Sequence, residues 1–244
     1  MNTNSNLYTV IYSTVLVVVV AAVLAFAAMS LKPRQDENVK IETITKVLSA
    51  ATQSDNTVSI GDDTDVMAMY ADKITDAFYV NGNGEKVGTM NTGKDNVKNI
   101  IVASTGDLKK QNDIIKQIEA GKTGLLASLK LPVYVFDING EKVTVIPCYG
   151  AGLWGPIWGY IAVAADGRTI DGAIFDHKSE TPGLGAKITE EPFYGQFKGK
   201  SFGEGETIFA VVKGGAKGAS NGVDAISGAT ITSQALGNTI NIWA

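Results

Sequence analysis

Cysteine and histidine are nearly absent from this 244-residue sequence, which has one of each, Cys148 and His177. A lone cysteine excludes an internal disulfide, and without a CxxC pair there is no thiolate cluster for zinc or iron–sulfur. A lone histidine means that any Ser-His-Asp or Cys-His hydrolase would have to be built on His177, and single histidines more often pack or hydrogen-bond than catalyse. An excess of basic charge is missing too. The formal net charge of −4 argues against nucleic acid, which calls for a basic face. Low-complexity linkers and solenoid-type repeats are also lacking. The 45% hydrophobic content is ample for a core and excludes global disorder. The length suits one large domain or two small ones.

What is present begins with an uncharged run, YTVIYSTVLVVVVAAVLAFAAMSL, from Tyr8 to Leu31. It exceeds the ~20 residues needed to cross a bilayer core of ~30 Å. Tyr8 and Tyr12 fall where an interfacial belt would place them, and Lys32-Pro33-Arg34 is expected to end the helix sharply. A cleaved signal peptide is the alternative, with Ala25, Ala27 and Ala28 as small residues for cleavage. The run outlasts a typical signal-peptide core and no Lys or Arg precedes it, which favours a retained anchor. A soluble core helix of this length would show polar periodicity, and none is visible. Orientation is left open by charge. Lys32 and Arg34 follow the helix and by the positive-inside rule alone put the large domain in the cytoplasm, yet large domains are translocated despite such charges.

Beyond the anchor, NVKIETITKVLSAA spaces Val39, Ile41, Ile44, Val47 and Leu48 as an amphipathic helix. TQSDNTVSIGDD reads as a polar loop, MAMYADKITDAFYV mixes helix and strand patterns, and NGNGEKVG is a turn between strands. QNDIIKQIEAGK is helical and ends at Gly121. LPVYVFDINGEKVTVIPCYG gives two strands around Asn139-Gly140, and WGYIAVAADGRTIDGAIFD repeats the scheme around Asp166-Gly167. TIFAVVKGG is another strand. The fold class is α+β: one N-terminal transmembrane helix, then a mixed domain rich in antiparallel hairpins, without βαβ repeats. The expected divisions are a tail over 1–7, the transmembrane helix over 8–31, a membrane-proximal α+β region over 32–149 and a ligand-binding domain over 150–244.

Gly150, Gly152 and Gly155 in GAGLWG spell GxGxxG after the apolar strand VTVIPC, with Asp171 near the ribose-binding distance. The dinucleotide fingerprint also requires a helix to open at the third glycine, whereas Pro156 and the β-like IWGYIAVAA follow. A Gly-Trp loop before a hairpin fits better, its glycines letting a flat ligand approach the backbone. Ordinary core packing is the alternative for Trp154 and Trp158, and the favoured one for Trp158. The second loop, HKSETPGLG, places Pro182-Gly183 at the centre of a type II turn. Glu180 and Thr181 are then expected to present a carboxylate and a hydroxyl at its rim.

Near the C-terminus, DAISGATITS follows an acidic residue with small residues and hydroxyls ahead of a helical segment. A helix cap alone explains the hydroxyls. Taken in order behind one anchor, however, GxGLWG, HxSETPGLG and DxxSGAT resemble the covalent-FMN-binding domain family of bacterial redox pumps. Its members include the C subunit of the sodium-translocating NADH:quinone reductase and the G subunit of the Rnf complex. The long segment between Lys40 and Cys148 favours the former. The motifs cover roughly Gly150 to the end, and no position departs from the family pattern.

The resemblance implies that Thr230 carries FMN through a phosphoester, with Asp224, Ser227, Gly228 and Ala229 completing the flavinylation signal. It implies a flavin cradle from Gly152, Leu153 and Trp154 in one loop and Glu180, Thr181, Gly183 and Leu184 in the other. A Thr hydroxyl needs a base or metal to become nucleophilic, and the motif contains no histidine. Self-catalysed attachment is therefore not expected, and the resemblance implies a separate magnesium-dependent flavin transferase that takes FMN from FAD, with Asp224 placed to help orient the hydroxyl or a metal. The linked phosphate would lie at the N-terminus of the closing helix. The implied function is a membrane-anchored electron carrier between NADH and quinone in a sodium pump, with no catalytic residue or metal ligand of its own. Its partners would be the other subunits of the complex and the bilayer, in the bacterial inner membrane, with the domain on the periplasmic side. An Rnf-type subunit and a non-redox anchored binding protein are the alternatives.

Overall fold

The computed structural model describes residues 6–55, 57–61, 63–205, 207–216 and 218–244. The expected tail and the polar loop after the anchor lie partly outside these, at residues 1–5, Asn56 and Asp62. The chain divides into two compact units, Met1–Ile41 and Glu42–Ala244. Helix α1, Asn6–Thr52, contributes to both. In the first unit it is long and apolar enough to cross a membrane, with the Tyr8–Leu31 side chains almost all exposed. The expected break at Lys32-Pro33-Arg34 is not made. Pro33 sits inside a continuous helix. One proline removes one donor and crowds the preceding turn, at a cost of about 3 kcal/mol. The helix formers Lys32, Arg34, Gln35 and Glu37 flank it.

The second unit is built on one antiparallel six-stranded sheet in the order β2-β1-β3-β4-β5-β6. Its strands are β1 Ile74–Val80, β2 Lys86–Thr89, β3 Leu131–Ile138, β4 Glu141–Ala151, β5 Pro156–Val163 and β6 Ile170–His177. The Asn-Gly and Asp-Gly turns fall where expected, with Asn139 at φ 56°, Gly140 at 86° and Gly167 at 73°. The mixed pattern of MAMYADKITDAFYV resolves into α2, Val66–Lys73, passing directly into β1. The division expected at 149/150 falls inside β4, which is continuous.

Alternation along β5 separates two cores, because successive side chains point to opposite faces. Tyr160 and Ala162 join Ile44, Val47 and Leu48 from the end of α1, with Tyr70, Tyr134 and Phe136. Ile157, Ile161 and Phe175 join the other face, under α3 (Thr105–Glu119), α4 (Glu191–Tyr194) and α5 (Thr230–Trp243). The strand expected in TIFAVVKGG is β7, Ala210–Val212. It pairs parallel with β8, Gly222–Asp224, outside the main sheet. This pair is the exception to the antiparallel pattern, and it delivers the chain to α5.

Helix α5 is seated by small residues and one indole. A Cβ on Gly150 of β4 would collide with Thr239 Oγ1, and Trp243 Nε1 donates to the Tyr149 carbonyl at 2.8 Å. Its N-terminus is thereby carried to the loop end of the β4–β5 hairpin.

Candidate functional site

Ser227 and Gly228 occupy the centre of a turn closed by the Ala229 amide on the Ile226 carbonyl at 3.0 Å. Gly228 has φ 80°, the left-handed geometry a type II turn asks of glycine. Thr230 then opens α5. Ala229 is the N-cap, and no side chain caps the first-turn amides. The hydroxyls around it have diverged in environment. Ser233 is fully buried and accepts from the Ile226 amide at 3.1 Å while donating to the Ala229 carbonyl at 2.9 Å. Thr232 is buried and donates to Glu180 Oε2 at 2.7 Å. Thr230 is half-exposed, and among the described residues its hydroxyl has no hydrogen-bond partner. Two residues of helix turn the side chain by about 200°, so an inward Thr232 requires an outward Thr230.

Asp224 is half-buried at the end of β8. Its amide donates to Gln196 Oε1 at 3.0 Å, and its Oδ1 accepts from the Ala216 amide at 2.9 Å. Oδ1 thus braces the loop behind β7, while Oδ2 has no hydrogen-bond partner among the described residues.

The loop after β6 adopts the expected turn. The Leu184 amide donates to the Thr181 carbonyl at 3.1 Å and Gly183 has φ 75°. Thr181 and Gly183 are exposed. Glu180 does not stand at the rim. It is 4% exposed, its carboxylate turned inward, because both oxygens find protein donors there. Oε1 accepts from the Trp154 amide at 2.8 Å and Oε2 accepts from Thr232. The Glu180 amide donates to His177 Nδ1 at 3.2 Å, which gives the lone histidine a structural acceptor role.

The loop between β4 and β5 is drawn tight by the Gly152 amide on the Gly155 carbonyl at 2.8 Å. Ser179 Oγ donates to the Trp154 carbonyl at 2.8 Å. No helix follows Gly155, so the dinucleotide fingerprint fails structurally as well. Trp154 is 66% exposed and is no core residue. Half-buried Trp158 packs against both cores, with Lys46 Nζ 5.8 Å from its ring centroid. Leu153, Trp154, Leu184 and Ile231 leave an apolar surface beside the motif residues. The turns of the two last motifs touch: a Cβ on Gly228 would lie 3.1 Å from Leu184 Cδ2. Ile231, Ser179, Ser233 and Gln196 belong to the site without having been expected there. Ser179 and Ser233 lie within or beside motifs, while nothing local marks Gln196.

Cys148 takes no part. It is buried, and burial pushes its thiol up to about 12, which removes the reactive thiolate. A cavity of about 690 Å³ lies at the other end of α5, lined by Ile115, Leu126, Leu129, Ile242 and Trp243, and includes none of the motif residues.

Three loops converge on an uncapped helix that begins at Thr230, and the family model that matches this part of the chain, residues 152–244, is the FMN-binding domain. Among curated relatives, the C subunit of the Na(+)-translocating NADH-quinone reductase from Pasteurella multocida is 30% identical over 227 residues, covering 91% of this chain and 83% of the relative. That from Neisseria meningitidis serogroup A is 30% identical over 244 residues, covering 95% and 89%. The crystal structure of the same subunit from Parabacteroides distasonis superposes with TM-score 0.64 at 32% identity, covering 87% of this chain and 94% of that one. Shewanella oneidensis NqrC gives 0.62 at 27%, covering 85% and 92%. The chain belongs to the NqrC family, the C subunits of the Na(+)-translocating NADH-quinone reductases.

The residues fit such a flavin. An uncapped helix N-terminus offers amides to a phosphate, and Thr230 offers a hydroxyl free of protein partners beside exposed apolar side chains.

Proposed function

We propose that this protein is a membrane-anchored electron-transfer subunit of a sodium-pumping NADH:quinone reductase, with FMN held covalently through its phosphate on Thr230 Oγ1. The observation that carries the reading is the partition of hydroxyls: Thr232 and Ser233 are buried and bonded, while Thr230 stands outward at the uncapped start of α5. Bound flavin supplies one-electron redox chemistry at its isoalloxazine ring. The first-turn amides of α5 would hold the phosphate, and Gly228 would keep the approach to Thr230 narrow enough for a modifying enzyme. Leu153, Trp154, Thr181, Gly183 and Leu184 are the residues that would hold the ring. Covalent attachment keeps the carrier from dissociating as electrons pass from the NADH side of the complex toward quinone. A separate flavin transferase makes the bond, because a Thr hydroxyl needs a base or metal to become nucleophilic and the motif contains no histidine. The other subunits and the bilayer are the partners, in the inner membrane, with the domain on the periplasmic side.

The test is the mass of the full-length protein co-expressed with a flavin transferase, followed by peptide mapping. An FMN-phosphoryl adduct on the Thr230 peptide is expected. An unmodified chain beside a transferase that labels a control substrate overturns the covalent reading.

A further inference from the structure

The Glu180 carboxylate lies in a slot walled by two glycines. A Cβ on Gly152 would stand 2.6 Å from Oε1. One on Gly185 would collide with Oε2 and lie 2.9 Å from Thr232 Oγ1. These glycines therefore make room for a protein carboxylate, whatever else approaches the loops. Its two oxygens serve donors from different parts of the chain: the Trp154 amide between β4 and β5, and the Thr232 hydroxyl in the first turn of α5. A residue 4% exposed with both oxygens so engaged is poorly disposed to touch a ligand directly.

We propose that Glu180 is a positioning residue: its buried carboxylate fixes the Trp154 loop against the first turn of α5, and so sets the surface that Trp154 offers to a group carried on Thr230. The part concerning that group rests on the FMN reading above; the latch itself does not. Geometry separates latch from charge. In E180Q the amide oxygen accepts from the Trp154 amide while the new NH2 donates to Thr232 Oγ1, so both bonds survive without the charge. E180A leaves a backbone N–H and a hydroxyl unpaired. T232V removes one donor at nearly constant shape, and T232S retains it.

Hydrogen exchange at the Trp154 amide in the flavin-free, full-length protein reads the latch. Exchange should quicken about tenfold in E180A, as expected for one lost buried hydrogen bond, and stay at the wild-type rate in E180Q. In flavin-loaded protein, the flavin fluorescence of E180A should move toward that of W154A, while E180Q stays with wild type. Wild-type exchange in a folded E180A, or an E180Q as perturbed as E180A, overturns the latch. Should E180A not fold, T232V must quicken Trp154 exchange and T232S must not; equal rates in the two overturn it. Should the wild-type protein take up no flavin, the FMN reading fails while the exchange measurement still decides the latch.

Discussion

Ser233 Oγ accepts a hydrogen bond from the amide of Ile226, seven residues earlier, and donates to Ala229, so the Ser227-Gly228 turn is bolted to the helix that Thr230 opens. Truncating that hydroxyl strands a partly buried amide, at a cost of about 1–3 kcal/mol. S233A should unfold at lower temperature, by roughly 2–4 °C per kcal/mol for a chain of this size, and load flavin more slowly. Unchanged melting in a thermal scan would show that water replaces the serine.

Thr232 and Ser233 are withdrawn by burial, and of the two hydroxyls left without a partner among the described residues, Ser227 and Thr230, Thr230 is the one that opens α5. T230A should lose covalent flavin entirely, and neither Thr232 nor Ser233 should substitute, since each is buried and hydrogen-bonded. T230S keeps an oxygen on the same carbon and should load at least in part. Flavin fluorescence in denaturing gels reads all three proteins, and a fluorescent T230A band mapped to Thr232 would move the site.

Asp224 braces the loop behind β7, and two substitutions separate that task from the part we propose for it in flavin loading. D224A removes the acceptor for the Ala216 amide and should lower the melting temperature as well as loading. D224N keeps an oxygen for that amide, so the fold should hold. If charge is needed in the encounter with the transferase, loading of D224N should fall by about tenfold or more, equivalent to about 1.4 kcal/mol of barrier. Full loading of D224N would confine Asp224 to bracing the loop.

The seat of α5 on β4 predicts a non-additive pair. G150A drives a methyl into Thr239 and should cost about 1–3 kcal/mol, the usual range for overpacking. T239A removes the obstructing atoms, and its own hydroxyl bond is only to Ala235 within the helix. Denaturant titration of G150A/T239A should therefore recover most of the loss. Simple additivity would mean that Gly150 answers to something other than this contact.

Topology is tested in cells. Protease added to intact spheroplasts should digest the domain while sparing cytoplasmic markers. Protection until lysis would place the domain in the cytoplasm, on the side that Lys32 and Arg34 favour.

Features set by neighbouring residues were legible in the sequence. Asn139-Gly140 and Asp166-Gly167 announced their hairpins because left-handed backbone is cheap only for such residues. Apolar length announced the α1 anchor, and Pro182-Gly183 its turn. The order of GLWG, SETPGLG and SGAT announced the family. Pro33 misled, because a local breaker is outweighed where helix formers continue on both sides. Packing in three dimensions was needed for whatever depends on chain segments far apart. The β7–β8 pair is parallel, a choice no periodicity records. Glu180 points inward because donors 26 residues before it and 52 after it converge on its oxygens. The same convergence buries Thr232 and leaves Thr230 outside. Packing therefore withdraws Thr232 and Ser233 and leaves Ser227 and Thr230, a division that the sequence does not record, since all four carry a hydroxyl.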